Sequence, residues 1–337
     1  MNLSPAGAIG VLLVNLGTPD APEPAAVRRY LAEFLSDPRV VELPKLFWAP
    51  LLHGVVLPLR AKKSAAAYAT VWDEEADESP LRAITRAQAE KLALRLCDDA
   101  LGASPVLVDF AMRYGAPSLQ DGFARFMSRG CERILVMPLY PQYAAATTAT
   151  VFDAVARILA GMRHQPTLRF LPPYFDHPAY IDALAATLRA GIAALDFEPE
   201  VMLASFHGLP QRQIDAGDPY KAQCEASWRL LREAMGVSER QLRLSFQSRF
   251  GRAKWIEPYT AEVVTGLARD GVKRLVVITP GFSADCLETI EEIGVEAQDA
   301  FLQAGGEHFA RIPCLNDGEE GMRLLETMTR RELAGWA

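Results

Sequence analysis

Short apolar runs alternate along the chain with segments whose apolar residues recur at helical spacing, such as residues 222–235 and 259–268. Alternation of strand and helix predicts an α/β fold, in which helices cover both faces of a parallel sheet through right-handed crossovers. The predicted strands are residues 9–16, 106–110, 134–139, 168–171, 201–206, 242–246, 275–279 and 309–313.

These eight runs form two sets of four that resemble each other in the segments around them. Three pairs of segments match in the same order: LGTP at 16–19 with HGLP at 207–210, FAMRYG at 110–115 with FQSRFG at 246–251, and GCERILV at 130–136 with GVKRLVV at 271–277. Duplication of a four-stranded half explains this order. We therefore predict two similar four-stranded α/β halves, residues 1–172 and 173–337, with a cleft between them.

The first half carries an insertion of about 55 residues, at about positions 40–95, relative to the second. It contains a strongly apolar stretch, residues 43–59, that is interrupted by Pro44, Pro50 and Pro58. Prolines at these positions predict short helical pieces and turns rather than one helix. Two interpretations stay open: a buried arm that packs on its own half, or an apolar lip that touches a ligand or a membrane surface.

Composition excludes several classes of protein. The net charge of −7 argues against a nucleic-acid partner, and no run of 18 apolar residues predicts a membrane span. The first ten residues lack the pattern of a secretion signal, which predicts a cytoplasmic protein. The five cysteines are scattered without a CxxC pair, so we expect free thiols and no local zinc or iron–sulfur motif. Neither a dinucleotide nor a phosphate-binding glycine motif is present, so the sequence implies no organic cofactor.

His207 directly follows the fifth predicted strand, and its counterpart in the other half is Leu16. Because ligands of open α/β sheets bind beyond the carboxyl ends of strands, His207 is a candidate reactive residue, and the alternative is a turn-capping imidazole. Beyond the seventh strand, Glu288, Glu292 and Glu296 recur every four residues and share one helical face. The ordinary explanation is a solvated acidic face. Beside an imidazole, however, such oxygen donors suit a labile divalent iron.

At these motifs the chain resembles the ferrochelatases over nearly its whole length. The resemblance rests on LVNLGTPD at 13–20, MRYG at 112–115, SFHGLP at 205–210, YKAQC at 220–224, SFQSRFG at 245–251, WIEPYT at 255–260 and GFSADCLE at 281–288. It implies insertion of ferrous iron into protoporphyrin IX to form protohaem. It also implies two Rossmann-like halves, the second of which carries the catalytic residues. The porphyrin cleft lies between the halves with His207 and Glu288 at its inner face, and no external cofactor is implied.

The resemblance assigns roles to particular residues. His207 is the leading proton acceptor or first iron contact, Glu288 is its partner, and Glu292 and Glu296 form a carboxylate path. Arg113, Tyr114 and Trp255 match family positions that line or support the porphyrin cleft. Leu16, the counterpart of His207, and Phe47 of the apolar stretch are the further predicted porphyrin contacts. Either His207 or Glu288 could take the pyrrole protons. The rival hypotheses are a chelatase for coproporphyrin or another tetrapyrrole, and a non-catalytic porphyrin-binding or haem-binding protein.

Two segments depart from the family pattern. Cys286 stands where some members carry histidine, and residues 73–78 are acidic where relatives tend to carry glycine. No cysteine-rich tail follows residue 315, which predicts the absence of the iron–sulfur cluster of some relatives. The predicted partners are therefore porphyrin and ferrous iron, with peripheral contact to the inner face of the cytoplasmic membrane if the apolar stretch is a lip.

Overall fold

A computed structural model describes residues 7–97, 105–251 and 253–336 of the chain. Most of the amino-terminal segment from which we predict the absence of a secretion signal lies outside the described residues. Within the described residues the chain divides into two compact units. The first comprises residues up to 139, 145–172 and 325 onward, and the second comprises 140–144 and 173–324.

The first unit contains a four-stranded parallel sheet in the order β2-β1-β3-β4. The central strand β1 pairs through Ile9 with Val106 of β2 and with Arg133 of β3. The strands are β1 Ile9–Gly17, β2 Val106–Tyr114, β3 Arg133–Pro138 and β4 Thr167–Phe170.

The second unit repeats this topology, with strand order β6-β5-β7-β8 and parallel pairing throughout. Its strands are β5 Val201–His207, β6 Leu242–Gln247, β7 Arg274–Ile278 and β8 His308–Arg311. All eight predicted strands and the predicted α/β class are confirmed.

Helices flank both sheets. Those of the first unit are α1 Pro24–Leu35, α2 Lys45–Leu51, α3 Leu57–Val71, α4 Pro80–Cys97, α5 Leu119–Ser128 and α6 Thr150–Ala160. The remaining helices are α7 Pro178–Ala193, α8 Gln211–Asp215, α9 Tyr220–Met235, α10 Thr260–Arg269, α11 Gln298–Gln303 and α12 Glu319–Leu333. Three further segments are π-helices: Leu52–Val56, Ala145–Ala149 and Glu288–Ala297.

Burial explains why the apolar runs form central strands. In β1 the residues from Ile9 to Val14 are all buried, as expected for a strand whose two faces are covered by helices. In the second unit, β5 and β7 pack against α10 and the π-helix Glu288–Ala297 around Phe301, which is fully buried. A rigid sheet with buried faces holds the loops at its carboxyl edge in place, and those loops carry the candidate site.

The helical pieces predicted across residues 43–59 are present, but the prediction of turns between them is wrong. Helix α2, the π-helix Leu52–Val56 and helix α3 follow one another without a turn, and Pro50 lies inside α2. Pro44 precedes the helix and Pro58 falls in the first turn of α3, where a missing N–H is tolerated. The carbonyl that the Pro58 ring would meet belongs to Gly54, within the wider π turn, so the helix continues.

The two compact units correspond to the two halves of the repeat, except that residues 140–144 belong to the second unit and the carboxyl-terminal residues belong to the first. Residues 325 onward belong to the first unit, whereas the sequence analysis assigned them to the second half. Their contacts explain this, because Arg95 and Glu326 form an ion pair at 3.3 Å and Thr329 donates to the Met137 sulfur. In the described part of the chain, no helix is both long and apolar enough to cross a membrane.

Candidate active site

Strand β5 ends at His207, and the next residue must be small. A Cβ on Gly208 would lie 2.8 Å from the Gln247 carbonyl oxygen and 3.1 Å from the Trp255 ring. The His207 Nδ1 lies 2.6 Å from the Gly208 carbonyl oxygen. A carbonyl only accepts, so Nδ1 carries the hydrogen, and in the neutral imidazole the lone pair is on Nε2.

Two aromatic rings lie close to His207. The centroids of Trp255 and Phe282 each lie 6.4 Å from the centroid of the imidazole. Trp255 is buried, and the half-exposed Phe250 meets its ring edge-on at 5.6 Å. The imidazole is therefore bounded by flat apolar surfaces of the kind that would lie against a planar ligand.

The predicted carboxylate row lies on the π-helix Glu288–Ala297 rather than on an α-helix. A π-helix bonds residue i to i+5 and has about 4.4 residues per turn, so residues four apart still share a face. Exposure increases along the row: Glu288 and Glu292 are half-buried and Glu296 is exposed. The Gln247 amide donates to the Glu288 carbonyl oxygen at 2.8 Å and so fixes the first turn of this helix.

Glu292 is held by Ser248. The Ser248 backbone N–H donates to one carboxylate oxygen at 2.6 Å, and its hydroxyl donates to the other at 2.5 Å. Ser248 has a φ of 64°, a left-handed conformation that a serine adopts only at a cost of order 1–3 kcal/mol. Burial raises the pKa of Glu292, although the Ser248 hydrogen bonds and the positive charge of His207 act in the opposite direction.

A buried chain of hydroxyls fixes the orientation of Gln247. Ser205 Oγ donates to Gln247 Oε1 at 2.8 Å, and Thr260 Oγ1 lies 2.8 Å from both Ser205 Oγ and Ser245 Oγ. With Oε1 occupied, the Gln247 amide nitrogen faces Glu288 and, at 3.4 Å, Glu292. Residues of two adjacent strands, β5 and β6, and the first residue of α10 thus position the carboxylates.

The loop before the π-helix is anchored by Asp285. Its carboxylate accepts from Thr289 Oγ1 at 2.7 Å, from Arg311 Nη1 at 2.6 Å and from Asn316 Nδ2 at 2.7 Å. Asp285 is buried, and all of these donors belong to the second unit. Cys286, the departure from the family pattern, is buried beside Asp285, and burial raises the pKa of its thiol far above the ordinary value.

Arg113 and Tyr114 direct their polar groups into the first unit. The Arg113 guanidinium and the Tyr114 hydroxyl both donate to the Asp37 carboxylate, at 2.5 and 3.0 Å, and Thr150 Oγ1 donates to it at 2.6 Å. Burial alone would raise the pKa of Asp37, but the hydrogen bonds from Thr150 and the Arg39 backbone and the charge of Arg113 hold it below the usual value. Burial raises the pKa of Tyr114, so its hydroxyl stays a donor.

The other two predicted porphyrin residues of the first unit are less enclosed. Leu16 is half-buried at the end of β1, and its backbone N–H donates to the Asn15 side chain at 3.0 Å. Phe47 is 75% exposed on α2, whereas the neighbouring Trp48 donates its indole N–H to the Leu35 carbonyl oxygen at 2.6 Å. Much of the apolar stretch is therefore exposed, while Leu52 and Leu57 within it are buried.

The second unit thus places Glu292 within the electrostatic field of the predicted His207 and of Glu288, and it places Trp255 beside His207, while Glu296 is exposed. Among the described residues, no group of three or more His, Cys, Asp or Glu side chains is arranged to hold a metal ion. Sequence reasoning missed Gln247, Ser248 and Phe282 as site residues. All three lie in quoted family motifs, which was the available signal. It also missed Asp37, for which the sequence carried no signal.

The comparisons with known proteins agree with this geometry. The family model described as Ferrochelatase matches residues 8–333. A ferrochelatase of Methylocella silvestris is 54% identical over 97% of this chain and 94% of its own length. A ferrochelatase of Nitrobacter hamburgensis is 54% identical over 99% and 96%, respectively. Among solved structures, SirB from Bacillus subtilis with Fe3+ shares the fold, with a TM-score of 0.56, 14% identity, and coverage of 97% of this chain and 95% of its own. The chain belongs to the ferrochelatase family.

Proposed function

We propose that the chain inserts ferrous iron into protoporphyrin IX to form protohaem in haem biosynthesis, and that His207 is the group at which the reaction takes place. The observation that carries this proposal is the pairing of an imidazole, whose Nε2 has a free lone pair in the neutral form, with the half-buried carboxyl of Glu292, whose pKa is raised by burial. Two such groups suit a reaction in which protons leave a ring as a cation enters.

The reaction releases two pyrrole protons for each ferrous ion bound. Neutral His207 accepts a pyrrole proton at Nε2, and the resulting imidazolium is stabilised by the Glu292 carboxylate whose field it already feels. Because burial raises the pKa of Glu292, that carboxyl can also hold a proton before passing it outward. Glu296, exposed on the same helical face, connects the row to water.

Iron is the substrate and must be released into the porphyrin. Glu288 and His207 offer one oxygen and one nitrogen donor, fewer than the three protein ligands of a stable catalytic metal site. Such a two-point contact binds a labile cation only briefly. The iron must leave the Nε2 lone pair of His207 before that lone pair accepts a pyrrole proton, so the metal contact comes before the proton transfer. We propose no cofactor beyond this substrate metal, and no iron–sulfur cluster.

The exposed apolar stretch supports a second part of the proposal. Leu46, Phe47 and Leu59 are each at least 71% exposed. Single exposed apolar residues are common on protein surfaces, whereas several in one stretch of chain indicate a contact surface. We propose that this lip contacts the porphyrin rim and the inner face of the cytoplasmic membrane, from which protoporphyrin arrives. The protein is then cytoplasmic and peripheral rather than membrane-spanning.

The direct test is anaerobic conversion of protoporphyrin by ferrous iron, followed in the visible spectrum. We expect His207→Ala to lose more than 90% of turnover while still shifting the spectrum of bound porphyrin. His308→Ala is the matched control, because His308 is an exposed histidine of the same unit. A static spectral shift without conversion by the intact protein would indicate a binding protein and overturn the proposal.

A further inference from the structure

A groove of about 920 Å³ lies on the edge of the second sheet, along strand β6. Its wall is formed by α9, by the residues that enter β6 and by Pro258, and it contains none of the residues assigned above to the active site. The residues that matter here are Trp228, Arg240, Arg243 and Leu244. β6 is an edge strand, so one side of its backbone has no neighbouring strand in this sheet.

The backbone of Leu244 faces this open side. Hydrogen bonds from Met202 N–H to the Gln241 carbonyl and from Gly208 N–H to the Gln247 carbonyl direct the odd-numbered residues toward β5. The even-numbered residues therefore point outward. The Leu242 carbonyl accepts from the Trp228 indole, and the Phe246 N–H donates to the Pro258 carbonyl. Between them, within the described structure, the N–H and C=O of Leu244 bond to no protein group.

The groove carries an excess of unpaired positive charge. Its two glutamates are already paired, Glu239 with Arg232 at 3.2 Å and Glu225 with Lys221 at 3.8 Å. In the part of the chain that the structure describes, Arg240 and Arg243 form no ion pair and no hydrogen bond through their side chains. The groove therefore offers two unpaired guanidiniums, which bind carboxylates, beside the unpaired backbone N–H and C=O of Leu244, which can bind a peptide unit.

We propose that this groove binds an acidic residue within an extended segment of a partner protein. The backbone N–H of that residue donates to the Leu244 carbonyl, its carbonyl accepts from the Leu244 N–H, and its carboxylate pairs with Arg243 or Arg240. The flanking side chains lie against Trp228 and Pro258. This is strand addition limited to one residue pair, because Trp228 and the Pro258 segment cap the edge on either side.

A peptide fits these groups better than a simple anion does. A free anion would pair with the arginines but would leave the outward Leu244 N–H and C=O to water, whereas a peptide unit satisfies both together. The groove thus recognises a backbone and a charge at once, and either interaction can be removed separately in the ligand.

The test measures binding of fluorescein-labelled acetyl-Thr-Val-Glu-Val-Thr-amide to the full chain by fluorescence anisotropy. We expect saturable binding that weakens at least tenfold in Arg240→Glu/Arg243→Glu. It should weaken by a similar factor when the central Glu of the peptide is replaced by Gln, or when its amide nitrogen is methylated. Arg269→Glu, an exposed arginine outside the groove, is the matched control and should bind as the intact protein does.

Porphyrin metallation by Arg240→Glu/Arg243→Glu should stay within twofold of wild type, which shows that the variant is folded and that the two functions are separate. Equal binding of the Glu, Gln and N-methyl peptides would overturn the proposal. So would concentration-dependent dimerisation in sedimentation experiments that the double variant abolishes, because the groove would then hold a second copy of the chain.

Discussion

Burial and the neighbouring polar groups act in opposite directions on the pKa of Glu292. Removal from water disfavours its charge, while two hydrogen bonds from Ser248 and the nearby His207 favour it, and the balance raises its pKa. A carboxyl whose pKa is higher in the folded than in the unfolded protein stabilises the fold in its protonated form. That stabilisation is fully present below the ordinary glutamate value of 4.5 and is lost as the pH rises through the folded pKa.

Substitution Glu292→Gln should therefore become progressively stabilising, relative to wild type, as the pH rises from 4.5 to neutrality. The reason is that glutamine keeps an acceptor for the Ser248 N–H without the buried charge. Thermal unfolding of both proteins across this pH range measures the difference, which we expect to reach a few degrees at neutral pH. Exposed Glu296→Gln should show no such trend. A constant difference between Glu292→Gln and wild type would contradict the raised pKa.

Residues such as Ser248 illustrate what sequence alone could not provide. The motif that contains Ser248 was recognisable, but its left-handed backbone and its two hydrogen bonds depend on where the π-helix places Glu292. His207 and Glu288 could be singled out because strand ends are visible as the limits of apolar runs. Partners that approach from a distant segment, such as Asp37 beside Arg113, leave no trace in local pattern.

The sequence did not predict the three π-helices of the described structure, and Glu288–Ala297 is the one that carries the carboxylate row. The spacing of four residues in the carboxylate row lies between the 3.6 residues per turn of an α-helix and the roughly 4.4 of a π-helix, so the row does not distinguish the two. The carboxylate row survives the difference because residues four apart share a face in both helices. What the π-helix adds is a first carbonyl held by Gln247, which fixes the start of the row beside the site.

A graded response follows from this helix. Glu288→Gln should reduce metallation most, by at least a hundredfold, because Glu288 begins the row. Glu292→Gln should reduce it about tenfold, and the exposed Glu296→Gln by less than threefold. Steady-state kcat for iron insertion into protoporphyrin measures the series. Equal losses at the three positions, or no loss at Glu288, would contradict a directed path.

The continuous helix across residues 45–71 determines which substitutions can test the lip. Trp48 anchors α2 through its bond to the Leu35 carbonyl, so replacing it would disturb folding. Leu46 and Phe47 are 81% and 75% exposed and can be changed without loss of packing. Apolar contact stabilises by about 25 cal/mol per Å² of surface removed from water.

The intact enzyme should therefore prefer protoporphyrin, with two propionates, over coproporphyrin, with four. Leu46→Ser/Phe47→Ser should lose at least fivefold of that preference, because the apolar rim of protoporphyrin then gains little from contact. The ratio of kcat/KM for the two porphyrins is the measurement. Leu94→Ser, a 70% exposed leucine on α4, is the control and should leave the ratio unchanged. Faster turnover of coproporphyrin by the intact enzyme would refute the preference.

At the scale of the whole molecule, the two units share more than sheet order. In each, a threonine shortly after the third strand donates to a buried aspartate that is paired with an arginine. Thr150, Asp37 and Arg113 form this set in the first unit. Thr289, Asp285 and Arg311 form it in the second. The aspartates come from different places in the two halves, so the repeat in the sequence reveals the strands but not this common anchor.

The anchor of the first unit predicts how Arg113 acts. Both partners of the Arg113–Asp37 pair have side chains less than 10% exposed, at 9% and 5%. Removing one partner leaves a buried charge uncompensated, at a cost of about 3–5 kcal/mol. We expect Arg113→Met and Asp37→Asn each to destabilise the protein by about that amount, and the double variant to lose at least ~1 kcal/mol less than the sum. Urea unfolding of the four proteins measures this cycle.

The same variants distinguish two roles for Arg113: holding Asp37 in the first unit, or pairing directly with a porphyrin propionate. The Arg113 guanidinium donates to Asp37 and to Thr150, so its hydrogen bonds lie within the first unit. If Arg113 acts by holding this anchor, Arg113→Met/Asp37→Asn should bind protoporphyrin with a Kd within threefold of wild type once it is folded. If Arg113 instead pairs directly with a propionate, the double variant should recover stability but not affinity. Affinity that stays at least tenfold weaker in a variant with recovered stability would therefore assign Arg113 to the porphyrin itself.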